Sequence, residues 1–450
     1  MAEPTQNHPP YDLIILGASG FTGKYVVKEA LKFFNHPPLN SFALAGRNST
    51  KLSDTLRWAA HPNPPPPIPI LSADTTDPSS LRRLCSETKL ILNCVGPFRL
   101  HGDPVVAACA ETGCDYLDIC GEPEFMERME ANYHEKALEK GALVISACGF
   151  DSIPAELGLM FNSRQWEAPT VPNNVEAYLS LESDKRIVGN FGTYESAVLG
   201  VANMSKLQEL RRSRPKRARP VIPGPPPAKG PTIEHQKDIN LWAVRLPSAD
   251  SIVVRRTLAT LAENPHGLQG MNESAEWRET REAFWSAFKP AHFGVKIGTK
   301  SVFGIFRIIM VGVFMGVMGR TGLGRWLLLK FPSLFSLGWF KKKGPTEEEV
   351  RSASFKMWFV GHGFSDSSSL VPQQKPNMEI VTRVMGPEIG YLTTPIILVQ
   401  SALIVLSQRE NLPKGGVFPP GIVFGPTDLQ QRLQENGMSF DVVSKKTLSG

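Results

Sequence analysis

The sequence contains no Cys-x-x-Cys pair. Its six cysteines, Cys85, Cys94, Cys109, Cys114, Cys120 and Cys148, all fall in the first third of the chain. That spacing argues against a zinc ribbon or a thioredoxin-like site and marks the thiols as small buried hydrophobes in a reducing compartment. None of the seven tyrosines has a lysine four residues on, so the Tyr-x-x-x-Lys arrangement that lowers a tyrosine's pKa for proton transfer is missing. His-Glu-x-x-His, His-x-x-Glu-His and Gly-x-Ser-x-Gly are absent and the nine histidines are scattered, which argues against a metallohydrolase or a serine hydrolase. No metal is expected. Residues 1–10 carry neither the apolar run of a secretory signal nor the arginines of a transit peptide, so no cleaved presequence is expected.

Acidic residues are missing from two long stretches. Residues 211–229 hold seven Lys/Arg (Arg211, Arg212, Arg214, Lys216, Arg217, Arg219 and Lys229), and residues 283–346 hold ten (Lys289, Lys296, Lys300, Arg307, Arg320, Arg325, Lys330, Lys341, Lys342 and Lys343), with no Asp or Glu in either. The remaining chain carries 32 bases against 43 acids, so the net charge of +6 conceals an acidic body with two basic inserts. With 450 residues, 42% hydrophobic and 20% charged, the chain is of ordinary globular composition and long enough for more than one domain.

Between residue 11 and about 154, short apolar runs at 13–16, 42–45, 68–71, 90–95, 116–119 and 143–147 alternate with helix-length segments. This is the pattern of repeated βαβ units around a buried parallel sheet. The six prolines within 61–69 make a stiff exposed loop that interrupts the pattern without ending it. Beyond 154 the signals are weaker. Residues 175–181, 239–243, 252–257, 355–361 and 379–384 read as strands, 194–206 as a helix and 395–406 as an apolar helix opening at Pro395. The expected architecture is α/β, with a doubly wound parallel Rossmann sheet over 1–155. A second mixed α/β substrate domain over 156–390 carries an apolar helical insert at 301–340, and 391–450 forms a C-terminal helix and tail packing back on the first domain.

The best-defined chemistry lies in Gly17-Ala18-Ser19-Gly20-Phe21-Thr22-Gly23, directly after the first strand and before a helix through 25–34. Glycines there allow a tight turn and close backbone approach to a pyrophosphate, whose charge sits on free N–H groups at the positive helix end. A P-loop does not fit: the spacing to Gly23-Lys24 is one residue too long, and Tyr25 stands where Ser/Thr would bind magnesium. The second strand ends in Gly46-Arg47-Asn48-Ser49, without the acid that would bind a ribose 2′-hydroxyl. Arg47, helped by Asn48, suits a 2′-phosphate, so NADP(H) is expected ahead of NAD(H), which stays open. Asp74 would face the adenine side, and Val95, Gly96 and Pro97 would flank the nicotinamide ribose. Residues 148–154 would close over the nicotinamide, with Asp151 or Ser152 capping the next helix. Asp151, Tyr194 and Ser196, with Glu195 between the last two, are the catalytic candidates near the cleft, and the proton donor is left open.

Gly17-Ala-Ser-Gly-Phe-Thr-Gly23, Ala45-Gly-Arg47, Asn93-Cys-Val-Gly-Pro-Phe98, Tyr116-Leu-Asp-Ile-Cys-Gly-Glu122, Gly149-Phe-Asp-Ser-Ile-Pro154 and Gly415-Gly-Val-Phe-Pro-Pro-Gly421 together resemble the saccharopine dehydrogenase-like oxidoreductases over nearly the whole chain. The resemblance implies a Rossmann domain followed by a mixed α/β substrate domain. It also implies association with lipid droplets or mitochondria, and kinship with trans-acting enoyl reductases that work on lipid intermediates. The amino-acid-binding arginines of true saccharopine dehydrogenases are not recognisable in the second half. The expected activity is therefore NADP(H)-dependent reduction of an apolar or lipid-linked C=C, C=O or C=N group. The alternatives are saccharopine oxidation in lysine degradation, or a membrane protein that keeps the cofactor fold without catalysis.

The second basic insert indicates where such a reaction would occur. Between Phe284 and Phe340 lie twelve of the chain's thirty-two Phe and Trp residues. The stretch 301–319 is apolar except for Arg307, just short of the roughly 20 residues a spanning helix needs. A helix or hairpin lying in one leaflet fits, with lysines on anionic lipid, so a membrane or lipid-droplet surface is the expected partner. A core helix with a homodimer contact, in a cytosolic protein, is the alternative. The stretch 211–231 has clustered arginines but no aromatic to stack on bases, so no nucleic-acid partner is expected. It reads as a solvated loop that reaches the same membrane surface.

Overall fold

Six parallel strands in the first third of the chain form the frame of the molecule, whose computed structural model describes residues 9–228, 230–366 and 375–448. Lys229 of the first basic stretch and residues 1–8, on which the presequence reading rests, lie outside them. The strands are β1 (Tyr11–Leu16), β2 (Phe42–Gly46), β3 (Ile70–Ser72), β4 (Thr88–Asn93), β5 (Asp115–Asp118) and β6 (Leu143–Ile145). They lie in the order 3-2-1-4-5-6, the Rossmann winding, which reverses between β1 and β4 and opens a crevice at the strands' carboxyl ends. Alternation along β1 shows how both faces are buried: Leu13 and Ile15 enter one apolar core, Ile14 and Leu16 the other.

The second sheet is mixed. It contains β7 (Val171–Ser183), β9 (Ile233–Gln236), β10 (Leu241–Val244), β11 (His292–Thr299), β13 (Ala353–Phe364) and β14 (Met378–Pro387), while β8 (Gly189–Asn190) and β12 (Phe340–Lys341) form a separate two-stranded ribbon. The chain then returns to the first sheet, where β15 (Gly416–Phe418) pairs in parallel with β6, and finishes with β16 (Ser439–Thr447) beside β14. Neighbours in the second sheet are antiparallel except β7 and β11. The helix Thr394–Gln408 is apolar on all sides and buried from Thr394 to Val405, as such helices must be in a core.

Two expectations are corrected. Residues 252–257 are not a strand but part of the helix Ala249–Glu263. Ser248 caps it by accepting from Asp250 N (3.1 Å), and Val253, Val254, Thr257, Leu258 and Leu261 repeat at helical spacing on the buried side, which overrides the β-branched run. The basic stretch from Arg211 is not wholly a solvated loop: residues 211–213 end the helix Met204–Ser213 and two arginines are held by protein carboxylates, while Arg212, Lys216 and Arg219 stay exposed. Arg211 pairs with Glu127, and Arg217 bonds Glu130 (3.2 Å), Glu263 (2.6 Å) and Thr260 (2.9 Å). These carboxylates lie on the helices Pro123–Lys140 and Ala249–Glu263, so the arginines act as a strap between the two sheets' helical layers.

Candidate active site

The glycine loop leaves β1 at Gly17, whose φ of +80° is a left-handed conformation that favours glycine. Gly17 N donates to Ala45 O and Gly20 N to Gly17 O, each at 2.9 Å. A Cβ on Gly23 would stand 2.2 Å from Gly17 O, so the third glycine lets the helix Phe21–Ala30 start flush against the loop. That helix has no side-chain cap and no acid in its first turn. Its free N–H groups and positive end therefore face the crevice beside exposed Ser19 and Gly20, a cradle that fits a pyrophosphate. Ala18 is buried beneath the loop and Thr22 is half-buried in the first turn. Phe21 turns away to pack edge-on against Tyr391, with ring centroids 4.8 Å apart.

Arg47 is exposed at the carboxyl end of β2, where a 2′-phosphate would arrive. Asn48 Oδ1 accepts from Lys51 N (2.9 Å) and caps the helix Ser49–Ala60. The Asp74 carboxylate accepts from Thr76 N and Thr76 Oγ1, both at 2.9 Å, and these bonds, with Arg47 nearby, hold its pKa low. It closes its own turn after β3.

At the carboxyl ends of β4 to β6, a buried chain of hydrogen bonds ties three strand exits together. Val95 N donates to Asn93 Oδ1 (3.0 Å), Asn93 Nδ2 to Tyr116 Oη (3.0 Å) and Tyr116 Oη to Asp118 Oδ2 (2.9 Å). Asp118 Oδ1 accepts from Cys120 N (2.9 Å) and Ala147 N (2.8 Å), and burial pushes its pKa up to about 6. Gly96-Pro97 follows as a cis peptide.

Around the mouth, the candidates separate. Asp151 keeps solvent contact although protein crowds its carboxyl and raises its pKa; a Cβ on Gly121 would lie 2.5 Å from its Oδ2. Asp250 is near enough to feel that charge, and burial with Asp151 pushes it up to about 7. Neither Asp151 nor Ser152 caps the helix Ile153–Ser163; Ser152 Oγ donates to Ala147 O instead, which corrects the capping expectation. Ser196 reaches the crevice, donating to Glu122 Oε1 at 2.8 Å. Burial raises the pKa of the neighbouring Glu195, with His101 acting against the rise. Tyr194 is turned elsewhere: fully buried with Val198 and Leu328 beneath the insert, its ring 5.3 Å from Phe340 and its hydroxyl unpartnered. Sequence reasoning missed Glu122 as a site residue, although its motif was visible. Its carboxylate accepts from Phe98 N (2.9 Å) and Arg99 N (3.1 Å) as well as Ser196.

Residues 13–145 match the saccharopine dehydrogenase NADP binding domain. Over 453 aligned residues the chain is 69% identical to a probable mitochondrial saccharopine dehydrogenase-like oxidoreductase of Arabidopsis thaliana, covering 99% of this chain and all of the relative. The chain belongs to the saccharopine dehydrogenase-like oxidoreductases. As a member of that family, it is an NAD(P)-dependent oxidoreductase with an NADP-binding Rossmann domain. A lipid droplet localized protein of Caenorhabditis elegans is 31% identical over 97% of this chain and 99% of its own length. Among solved structures, apo saccharopine dehydrogenase (L-Glu forming) of Saccharomyces cerevisiae superposes with a TM-score of 0.50 over 96% of this chain and all of that one, at 11% identity. That likeness is one of fold alone. In this saccharopine dehydrogenase-like oxidoreductase the glycine cradle, Arg47 and the exits of β4 to β6 lie on one edge of one sheet, within the residues that match the NADP-binding domain.

Proposed function

We propose that this oxidoreductase prefers NADP(H) to NAD(H) and reduces an apolar or lipid-linked C=C, C=O or C=N group at a membrane or lipid-droplet surface. Bound in the cradle, the cofactor supplies a hydride. Exposed Arg47 and the lack of an acid after β2 support the NADP(H) preference. Asp151, with Asp250 behind it, and Ser196 with Glu122 line the mouth as the groups that would orient a substrate and hold a proton.

One observation carries the lipid assignment. Of sixteen large apolar side chains exposed among the described residues, nine lie between Val302 and Leu334. The helix Val302–Met318 buries Ile305 and Ile308 against the second sheet, with Val311 buried as well, and presents Phe303, Phe306, Val313 and Val317 outward. Its 17 residues make about 25 Å, short of the roughly 30 Å hydrocarbon core, and one face is already taken by protein. It therefore suits lying along a surface rather than crossing it. Arg320, Lys330, Lys342 and Lys343 are exposed within the acid-free stretch 283–346 that carries the apolar face, as anionic lipid favours. Self-association through this face would set the same positive groups against each other. The worm relative's lipid-droplet name agrees with this reading, and the plant relative's name favours a mitochondrial membrane.

Flotation of the purified protein with anionic vesicles, compared with a variant lacking 302–340, tests it. Binding by the full chain and loss in the deletion is the expected result. Equal flotation of both, or dimerisation through the insert without vesicle binding, rejects the lipid assignment.

A further inference from the structure

Three cysteines distant in sequence meet at the edge of the Rossmann sheet opposite the crevice. Cys85 stands in the last turn of the helix Pro78–Ser86, Cys109 in the helix Asp103–Thr112 and Cys114 directly before β5. All three are buried, their sulfurs lie within 4.8 Å of one another, and Cys85 Sγ and Cys109 Sγ are 3.6 Å apart. The carbonyls of Thr88 and Lys89, at the start of β4, lie 3.6 and 3.7 Å from Cys114 Sγ. The glycine loop and Glu122, by contrast, follow the strands' carboxyl ends, so the trio is separate from the cofactor site.

We propose that Cys85, Cys109 and Cys114 form a trigonal site for a soft monovalent ion, Cu(I). An ion about 2.3 Å from each of three sulfurs needs them roughly 4 Å apart. The Cys85–Cys109 separation of 3.6 Å is just below that value and the other two are no more than 4.8 Å, so small rotations of the thiols suffice. Donor type selects the metal: three sulfurs suit a thiophilic ion and repel magnesium or calcium, which require oxygen. Zinc in a structural site wants a fourth ligand, and among the described residues no further His, Cys or carboxylate joins the group. The adjacent carboxylate, Asp115, is already held by Arg409 Nε (2.7 Å) and Leu143 N (2.8 Å).

Binding forms three sulfur–copper bonds and releases the three thiol protons to solvent, with no change in oxidation state. Leu81, Leu84 and Ala110 belong to the same apolar core, so the bonds to the soft ion must offset the cost of burying the thiolates' net negative charge. Two helices and a strand start supply the ligands, so the site exists before the ion arrives.

Anaerobic titration of the full chain with Cu(I), in competition with a chromophoric copper chelator, is the test. One ion per chain is expected, with NADPH binding retained. Cys85→Ser and Cys114→Ser should each weaken copper binding by more than about tenfold, at least as much as losing an outer-shell partner does. Cys148→Ser, a buried cysteine outside the trio, should leave it unchanged. Because a core serine can prevent folding, X-ray absorption on the copper-loaded native chain provides a second reading, with three sulfurs at about 2.3 Å expected. No binding above that of the Cys85→Ser/Cys114→Ser double variant overturns the proposal. So does a copper shell of other than three sulfurs, or a Cys85–Cys109 disulfide in the isolated protein.

Discussion

Ser196 Oγ donates a 2.8 Å hydrogen bond to Glu122 Oε1, joining the helix Phe191–Ala202 to the exit of β5 across 74 positions of sequence. Glu122 is buried and also takes the N–H groups of Phe98 and Arg99, which open the short helix Phe98–His101. The helix Phe191–Ala202 and the start of the helix Phe98–His101 thus share one carboxylate.

Replacing the two partners should have unequal effects. Ser196→Ala leaves Glu122 two donors and should cost about 1 kcal/mol, whereas Glu122→Ala leaves two crevice N–H groups without a partner at roughly 1–3 kcal/mol each. Turnover should fall in both, and NADPH affinity should fall in Glu122→Ala, because the N–H groups it frees directly follow Val95, Gly96 and Pro97, expected beside the nicotinamide ribose. Urea unfolding and cofactor titration of the two variants would check this; a Glu122→Ala protein as stable as the parent would rule it out.

Arg47→Ala should change cofactor choice more than fold. A charge-assisted contact to a 2′-phosphate contributes about 1.5–3 kcal/mol, so NADPH binding should weaken some ten- to hundredfold while NADH binding stays constant. The ratio of the two dissociation constants is the measurement. An unchanged ratio would leave Arg47 as an ordinary surface residue.

Glu156 should make stability depend on pH. Burial pushes its carboxyl up to about 7, although Thr257 Oγ1 and Gly421 N (2.8 Å) both donate to it. The folded protein therefore holds a proton that the unfolded chain, near its ordinary 4.5, has released. Its contribution is full below about pH 4.5 and is lost as pH rises through about 7; the shift corresponds to roughly 3 kcal/mol. Asp250 and Glu388, also pushed up to about 7, act in the same direction. Glu156→Gln keeps the shape and can still accept from Gly421 N, so it should be relatively more stable at pH 8 than at pH 5. Unfolding midpoints at those two pH values would reveal it, and identical slopes for variant and parent would contradict it.

The first sheet was legible because parallel strands buried on both faces read as continuous apolar runs. β1, β2, β4 and β5 begin or end within two residues of the runs at 13–16, 42–45, 90–95 and 116–119. Gly17, Gly20 and Gly23 were legible because a tight turn at positive φ beside a helix start has a local residue signature. Pairings made by the fold were not legible. Nothing in the sequence joins Ser196 to Glu122, or Cys85 to Cys109 and Cys114, since each partner comes from a different element. The run at 252–257 misled because its β-branched residues concealed a helical period that only the buried neighbours reveal. Tyr194 misled similarly: its neighbour Ser196 faces the crevice, but two residues earlier on a helix the side chain points elsewhere, here under the insert.

The two basic stretches should respond in opposite ways to mutation. Arg217→Ala removes bonds to Glu130, Glu263 and Thr260, leaving Glu130 to Arg256 Nη2 (2.8 Å), and should lower stability by about 1 kcal/mol or more without affecting vesicle binding. Lys330, Lys342 and Lys343 have no carboxylate partner among the described residues; Lys330 lies over the Trp326 ring at 4.4 Å. Replacing all three by Gln should leave unfolding unchanged and weaken binding to anionic vesicles by about 1 kcal/mol per lysine, or roughly a hundredfold in total. The loss should be smaller at high salt, where a Debye length of about 3 Å at 1 M already screens these charges. Phe303→Ser should weaken the same binding by about tenfold with no salt dependence, because it removes apolar area rather than charge. If the arginine variant released the protein from vesicles as readily as the lysine variant, the strap itself would be touching lipid, and the division of the two inserts into a structural and a membrane-facing one would fail.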